Sequence, residues 1–231
     1  MGKILVGVRL FMQEKIKKNL KQIQEEIVPF KPNIIAVTKY FDESAIVAAY
    51  EVGLRDFGES RVLEASEKIS RLPEYVRENS KFHFIGHLQS NKAKKAVEQF
   101  DYIHSVDSLK LAQKISEYAR EMGKVQNILL QLNNAGEVQK SGFNKDELVE
   151  NFDEIKKLSN INVLGLMSMA PFGAEKRELH FLFNEVRVTR DNLEVMFNCK
   201  LPELSMGMSQ DYLIAVQEGS TMLRIGRKLF S

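Results

Sequence analysis

Eight short apolar runs, each separated from the next by enough chain for a helix, constrain this sequence more than any other feature. They are Ile34–Lys39, Asp56–Glu59, Phe82–Gly86, Tyr102–Val106, Asn127–Asn133, Val163–Met167, Glu203–Gly207 and Met222–Gly226, and each ends in polar or glycine residues. Helical patterns lie between them: Glu43–Val52, Arg61–Leu72, Asn91–Gln99, Leu109–Met122, Lys145–Leu158 and Lys176–Met196. Strands that alternate with helices pair in parallel through right-handed crossovers. Eight such units favour closure into an α/β (β/α)8 TIM barrel, and a chain of 231 residues is long enough for one. A six-strand doubly wound sheet is the competing architecture and requires two runs to be misread. Before the first strand, Leu10, Ile16, Leu20, Ile23 and Ile27 form the apolar stripe of an extra N-terminal helix, from about Val8 to Ile27, which Pro29 and Pro32 terminate. No linker or low-complexity segment divides the chain, so residues 1–231 are expected to form one barrel domain.

Active sites of such barrels sit at the C-terminal ends of the strands. Lys39 falls there, ending the first run. A strand-end lysine can simply reach solvent; one held among apolar neighbours is a candidate Schiff-base amine, because burial favours the neutral, nucleophilic form. Gly207-Met208-Ser209 and Arg224-Ile225-Gly226 follow strands seven and eight, where barrels commonly build a phosphate site from loop amides and a helix N-terminus. Ser209 is the expected N-cap of a helix over Gln210–Gln217, and Gly226 lets a phosphate oxygen approach the backbone. An amine and a phosphate cradle on one face describe an aldehyde that carries a phosphate, and pyridoxal phosphate fits. The chain has neither a G-x-G-x-x-G segment after the first strand nor a Walker loop.

Arg224 admits two readings: a structural partner for a barrel carboxylate such as Glu59, or a permanent cation facing the cofactor's pyridine nitrogen. In the second role it would keep that nitrogen unprotonated and the ring a poor electron sink. His83 and His87, four apart, lack a third ligand nearby and are expected to be satisfied core or mouth histidines rather than metal ligands; His104 and His180 carry less signal. Lys140-Ser141-Gly142 is either a second anion contact or a solvated loop. Met167, Met169, Met206 and Met208 are expected to fill the barrel core or mouth.

The charge balance, 33 basic against 31 acidic residues, offers no clustered basic face for nucleic acid. Cys199 is the sole cysteine, which excludes an intrachain disulfide and suits a reducing compartment. No apolar run has the length of a membrane span, and the N-terminus lacks a signal-peptide core; the expected location is cytoplasmic. No large exposed apolar stripe is evident, which points to a monomer.

Several segments together resemble a known family. They are Ala36-Val37-Thr38-Lys39, Phe57-Gly58-Glu59-Ser60, His83-Phe84-Ile85-Gly86-His87-Leu88-Gln89-Ser90-Asn91-Lys92, His104-Ser105-Val106-Asp107-Ser108, Lys140-Ser141-Gly142, Gly165-Leu166-Met167, Leu204-Ser205-Met206-Gly207-Met208-Ser209 and Gly219-Ser220-Thr221-Met222-Leu223-Arg224-Ile225-Gly226. From about Ile34 to Phe230 the chain resembles the pyridoxal phosphate homeostasis proteins, whose fold is similar to the N-terminal barrel of alanine racemase. The resemblance implies that Lys39 forms an internal aldimine with pyridoxal 5'-phosphate. It places Ser205, Ser209, Gly226 and the backbone of Arg227 in phosphate-binding segments, and Arg224 against the pyridine nitrogen. Ser60, His87 and Lys140 are possible secondary contacts. One residue departs from the pattern: the family usually carries asparagine after Phe-Gly-Glu, and here Ser60 is too short to make the same contact.

The expectation is a non-enzymatic cofactor binder supporting vitamin B6 balance, with pyridoxal phosphate-dependent apoenzymes as possible recipients. Alanine racemase adds a β-rich domain that supplies a tyrosine as second base, and racemisation needs proton transfer on both faces. This chain runs five residues beyond Gly226 and shows no such domain. Two alternatives remain, a pyridoxal phosphate-dependent racemase using Tyr40 or Tyr212, and a lysine-dependent aldolase.

Overall fold

Paired in chain order, the eight runs form β1 (Asn33–Val37), β2 (Asp56–Glu59), β3 (Lys81–Phe84), β4 (Tyr102–Val106), β5 (Gln126–Gln131), β6 (Ile161–Met167), β7 (Glu203–Met208) and β8 (Met222–Ile225). All pairs are parallel, and β8 returns to β1, which closes the barrel. The helices are α1 (Gly2–Glu26), α2 (Glu43–Glu51), α3 (Val62–Ser70), α4 (Glu74–Glu78), α5 (Ala93–Gln99), α6 (Leu109–Glu121), α7 (Lys145–Lys156), α8 (Lys176–Phe197), α9 (Tyr212–Gln217) and α10 (Arg227–Phe230). The computed structural model describes residues 2–134 and 141–231, with side chains from residue 10 onward.

Local chemistry sets the helix starts. Asp42 accepts from the Ser44 amide ahead of α2, Ser108 from the Leu111 amide ahead of α6, and Asn144 with Glu147 forms a capping box on α7. The outward residues of the strands, among them Phe57, Phe84, Ile103, Ile128, Leu166, Leu204 and Leu223, pack against helix residues such as Ile46, Leu111, Ile115, Phe152 and Val186. Each large apolar side chain buried this way contributes roughly 1.5–3 kcal/mol. That layer drives folding and leaves the barrel interior able to carry polar groups. In-register neighbours of a parallel sheet point the same way. The members of each pair Ile35↔Arg224, Gly58↔His83, His83↔Tyr102 and Ser205↔Met222 therefore share a face, the one turned into the barrel.

Where the structure departs from expectation, the causes are local. The strand expected over Ile34–Lys39 ends at Val37, although the Thr38 amide still donates to the Gly58 carbonyl at 3.0 Å. β3 stops at Phe84 rather than Gly86, and β5 at Gln131 rather than Asn133. Two short helices, α4 and α10, were not expected. On α1, Ile16, Leu20, Ile23 and Ile27 are buried as the stripe predicts, whereas Leu10 is 56% exposed. Phe181, Val188 and Val195, seven residues apart on α8, are exposed. No helix among the described residues is long and apolar enough to cross a membrane.

α1 packs along α2 and α10. Glu26, at its C-terminus, takes hydrogen bonds from Lys228 Nζ and Tyr212 Oη, while Asn19 donates to the Leu229 and Ser231 carbonyls at 3.0 Å. Lys228 and Tyr212 hold the Glu26 carboxyl down at about 2, from an ordinary 4.5. A depressed carboxylate stabilises the fold above its unfolded pKa and loses that contribution as pH falls through the folded value. The thermal stability advantage of wild type over Glu26→Gln should therefore be constant above pH 5, shrink below about 4.5, and vanish near 2. Melting curves of both proteins across that range check it; an advantage independent of pH would refute the charge-based account.

Candidate functional site

At the C-terminal mouth of the barrel, a cavity of about 450 Å³ opens among the ends of β1, β6, β7 and β8. Lys39, Tyr40, Met169, Met208, Ser209, Arg224, Gly226 and Arg227 are among its lining residues. Its size suits a small cofactor. Lys39 is half-buried, and its Nζ lies 5.0 Å from the Tyr40 ring centroid.

The turn that presents Lys39 is tied down from beneath. Lys68 of α3, 6% exposed, donates to the Thr38 carbonyl at 2.9 Å and to Glu59 Oε1 at 2.7 Å. Thr38 Oγ1 donates to the same Glu59 oxygen at 2.7 Å. Glu59 is thus the partner of Lys68, and the structural reading of Arg224 as its partner is incorrect. Lys68 escaped the sequence reading because a lysine in an amphipathic helix ordinarily faces water.

Arg224 is buried and donates three hydrogen bonds: to the Ser205 carbonyl at 2.6 Å, to Ser205 Oγ at 2.7 Å and to the Ser168 carbonyl at 2.8 Å. A guanidinium has five donor hydrogens. Burial pulls its pKa down to about 10 while Asp211 pulls it up, so it remains a cation at neutral pH. Asp211 accepts from the Met208 amide at 2.5 Å; burial raises its carboxyl despite that bond and the nearby Arg224 charge.

Ser209, Gly226 and Arg227 from the segments after strands seven and eight meet at the cavity, and the structure corrects two placements. Ser209 is not the N-cap of the following helix: α9 starts after Asp211, and Ser209 Oγ instead accepts the Lys228 amide of α10 at 3.2 Å. Gly226 and Ser209 therefore flank the first turn of α10, which carries the exposed Arg227. Ser205 is not among the cavity-lining residues. It is fully buried below Arg224, with Oγ held by Arg224 and, at 2.9 Å, by His104 Nδ1. Ser205 lies within β7, two residues after its start, so its side chain points into the barrel rather than toward the mouth.

Ser60 and His87 line a separate groove with Arg61, Phe84, Leu88, Gln89 and Lys92, and His87 Nδ1 meets Ser141 Oγ at 2.9 Å. Lys140 lies outside the described residues. Met169 and Met208 line the cavity and Met167 and Met206 are buried, as expected of apolar fill. Tyr212 is buried with its hydroxyl on Glu26, so the tyrosine at the cavity is Tyr40. Among the described residues no cluster of three His, Cys, Asp or Glu side chains is arranged to hold a metal.

The arrangement matches known proteins. A family model described as alanine racemase, N-terminal domain, matches residues 12–231. The pyridoxal phosphate homeostasis protein of Synechocystis is 41% identical over 211 residues, covering 90% of this chain and 96% of its own. The chain belongs to that family. A second member, from Escherichia coli K12, is 32% identical across 93% of this chain and 95% of its own. Among solved structures, PipY of Synechococcus elongatus without PLP superposes with a TM-score of 0.88 at 38% identity, covering 94% of this chain and all of that one. PipY with PLP bound gives 0.84 at 37%, with the same coverage. Alanine racemase of Clostridium difficile, at 17% identity and a TM-score of 0.77, shares the fold over 94% of this chain and 56% of its own. The family's barrel is thus the one described above.

Proposed function

We propose that this chain binds pyridoxal 5'-phosphate through Lys39 and serves its homeostasis rather than its use in turnover, within the cytoplasm. The observation that carries this reading is the convergence on one cavity of a primary amine, a hydroxyl and glycine flanking a helix start, and a buried cation. These residue types fit the cofactor. When bound, it supplies an aldehyde for condensation with an amine and a phosphate for hydrogen-bond donors. Lys39 is the amine in reach, held in place by the Thr38–Glu59–Lys68 cluster. Ser209, Gly226 and Arg227 offer the phosphate contacts, and Met169 and Met208, which line the cavity, would exclude water from a group bound there. Arg224 offers only donors, so a ring nitrogen set against it remains without a proton and the site withdraws electrons weakly. PipY with PLP bound and the names of the relatives support the same ligand.

The non-catalytic part of the reading rests on proton transfer. Racemisation requires groups on both faces of the substrate. Lys39 and Tyr40, the lining residues suited to proton transfer, are chain neighbours on one rim, and Tyr212 is committed to Glu26.

Titration of purified protein with pyridoxal phosphate should produce a long-wavelength absorbance band, and borohydride should then fix the added mass on Lys39. Lys39→Ala should show neither. A wild-type protein without the band would remove the cofactor reading and bring the aldolase forward. Amino-acid racemisation abolished by Lys39→Ala would overturn the homeostatic one.

A further inference from the structure

Below the cavity, the barrel interior continues from Arg224 into a line of polar groups that the binding reading does not use. Arg224 Nη1 donates to Ser205 Oγ at 2.7 Å, and Ser205 Oγ lies 2.9 Å from His104 Nδ1. His104 Nε2 lies 2.9 Å from His83 Nδ1, and His83 Nε2 lies 2.8 Å from Asp56 Oδ1 at the opposite end of the barrel. His83, His104 and Ser205 are essentially inaccessible to water. The five residues come from β2, β3, β4, β7 and β8, and β-strand register alone brings them together.

We propose that Asp56, His83, His104 and Ser205 form a one-directional hydrogen-bond chain that fixes the Arg224 guanidinium against the cavity, with His104 as its positioning residue and both imidazoles protonated on Nε2.

Elementary donor counting sets the direction. A carboxylate only accepts, so His83 must place a hydrogen on Nε2 toward Asp56. With one ring hydrogen spent there, its Nδ1 is an acceptor and His104 must donate from Nε2. That leaves His104 Nδ1 as an acceptor for the Ser205 hydroxyl, whose oxygen receives Arg224. Every proton has a partner in this arrangement. The reverse direction would require a second hydrogen on His83 and would leave the Ser205 hydroxyl hydrogen unspent inside the barrel, which is costly. Burial and the Arg224 charge both oppose a charge on His104, and His83 is further fixed by stacking on Tyr102, with ring centroids 4.5 Å apart. The device matters because Arg224 Nη2 meets only a carbonyl; among the described residues the Ser205 hydroxyl is the one side-chain hydrogen bond to the guanidinium, and His104 sets where that hydroxyl points. The relevance to the cofactor rests on the binding reading above, but the chain itself does not.

Long-range proton–nitrogen NMR of the protein without cofactor tests the assignment directly. Both His83 and His104 should show a protonated Nε2 and a bare Nδ1 at neutral pH. The Nη signals of Arg224 should be resolved by hindered rotation in wild type and in His104→Asn, whose amide oxygen replaces Nδ1 as acceptor. They should average in His104→Leu. Pyridoxal phosphate binding should weaken about tenfold in His104→Leu and stay near wild type in His104→Asn, the loss expected for a hydrogen bond to a charged group. A Nδ1–H tautomer or a doubly protonated ring at either histidine would overturn the proposal. So would resolved Arg224 signals in folded His104→Leu. Should wild type bind no pyridoxal phosphate while the tautomers are as stated, the cofactor reading fails and the chain stands.

Discussion

Lys68→Met is expected to lower the stability of this barrel by about 3–5 kcal/mol, the cost of removing one partner from a buried ion pair and stranding the other. Glu59, 2% exposed, would keep the Thr38 hydroxyl as its one hydrogen-bond donor among the described residues, and the Thr38 carbonyl would lose its ammonium donor. In a chain of this length that loss corresponds to a fall in Tm of about 10 °C. The functional effect should follow from position: Thr38 directly precedes Lys39, so releasing its carbonyl loosens the turn that aims the amine. Affinity for pyridoxal phosphate should drop even below the melting range. Combining Lys68→Met with Glu59→Leu should recover part of the stability by removing the stranded charge, while leaving the amine poorly held. Urea melts and cofactor titrations of the single and double variants separate the two effects. A single variant within about 1 kcal/mol of wild type would show that the pair does not anchor the turn.

How much of this was legible in the sequence follows from where each contact lies along the chain. The eight strands could be recognised because each buries apolar side chains toward the helices, as Phe57, Ile103 and Leu204 do, and such runs are punctuated by turn residues. Both ends of β2 and β4 were placed correctly, whereas other strand ends were off by up to two residues. Thr38 and Ile85 keep a ladder-type hydrogen bond after the regular strand stops, and sequence carries no mark of that. The cavity residues Lys39, Ser209, Arg224 and Gly226 were legible because they lie at or just beyond the C-terminal ends of strands, and strand ends share one face of a barrel. The supports behind them were not. Glu59 meets Lys68 across a strand–helix interface, and His83 meets His104 through a register that only strand pairing establishes. Histidines 21 residues apart carry no local signal of contact. Ser205 and Ser209 look alike in sequence, yet one turns into the barrel and the other toward α10.

Gly207→Ala is expected to be the more damaging of two superficially equal substitutions. Gly207 and Gly219 have nearly the same left-handed backbone, with φ of +92° and +93°. Each alanine therefore carries a similar conformational penalty, roughly 1–2 kcal/mol. Their surroundings differ. A Cβ at Gly219 would meet only the flexible Arg187 side chain at 3.1 Å, which can move aside. A Cβ at Gly207 would stand 2.5 Å from Ala215 Cβ and 2.9 Å from Leu223 Cδ2, between α9 and β8, with the Tyr212 backbone at 3.2 Å. Overpacking of that kind adds about 1–3 kcal/mol. Gly207 also sits where β7 slips register against β8, between Ser205, which holds Arg224, and Ser209, which caps the start of α10. Displacing it shifts Arg224 and Ser209, both of which line the cavity. Gly207→Ala should thus lose about 3 kcal/mol or more and most of its pyridoxal phosphate affinity, whereas Gly219→Ala should lose the backbone penalty alone and bind normally. Equal losses of affinity in the two variants would mean that general destabilisation, not the geometry of the β7 segment, governs binding.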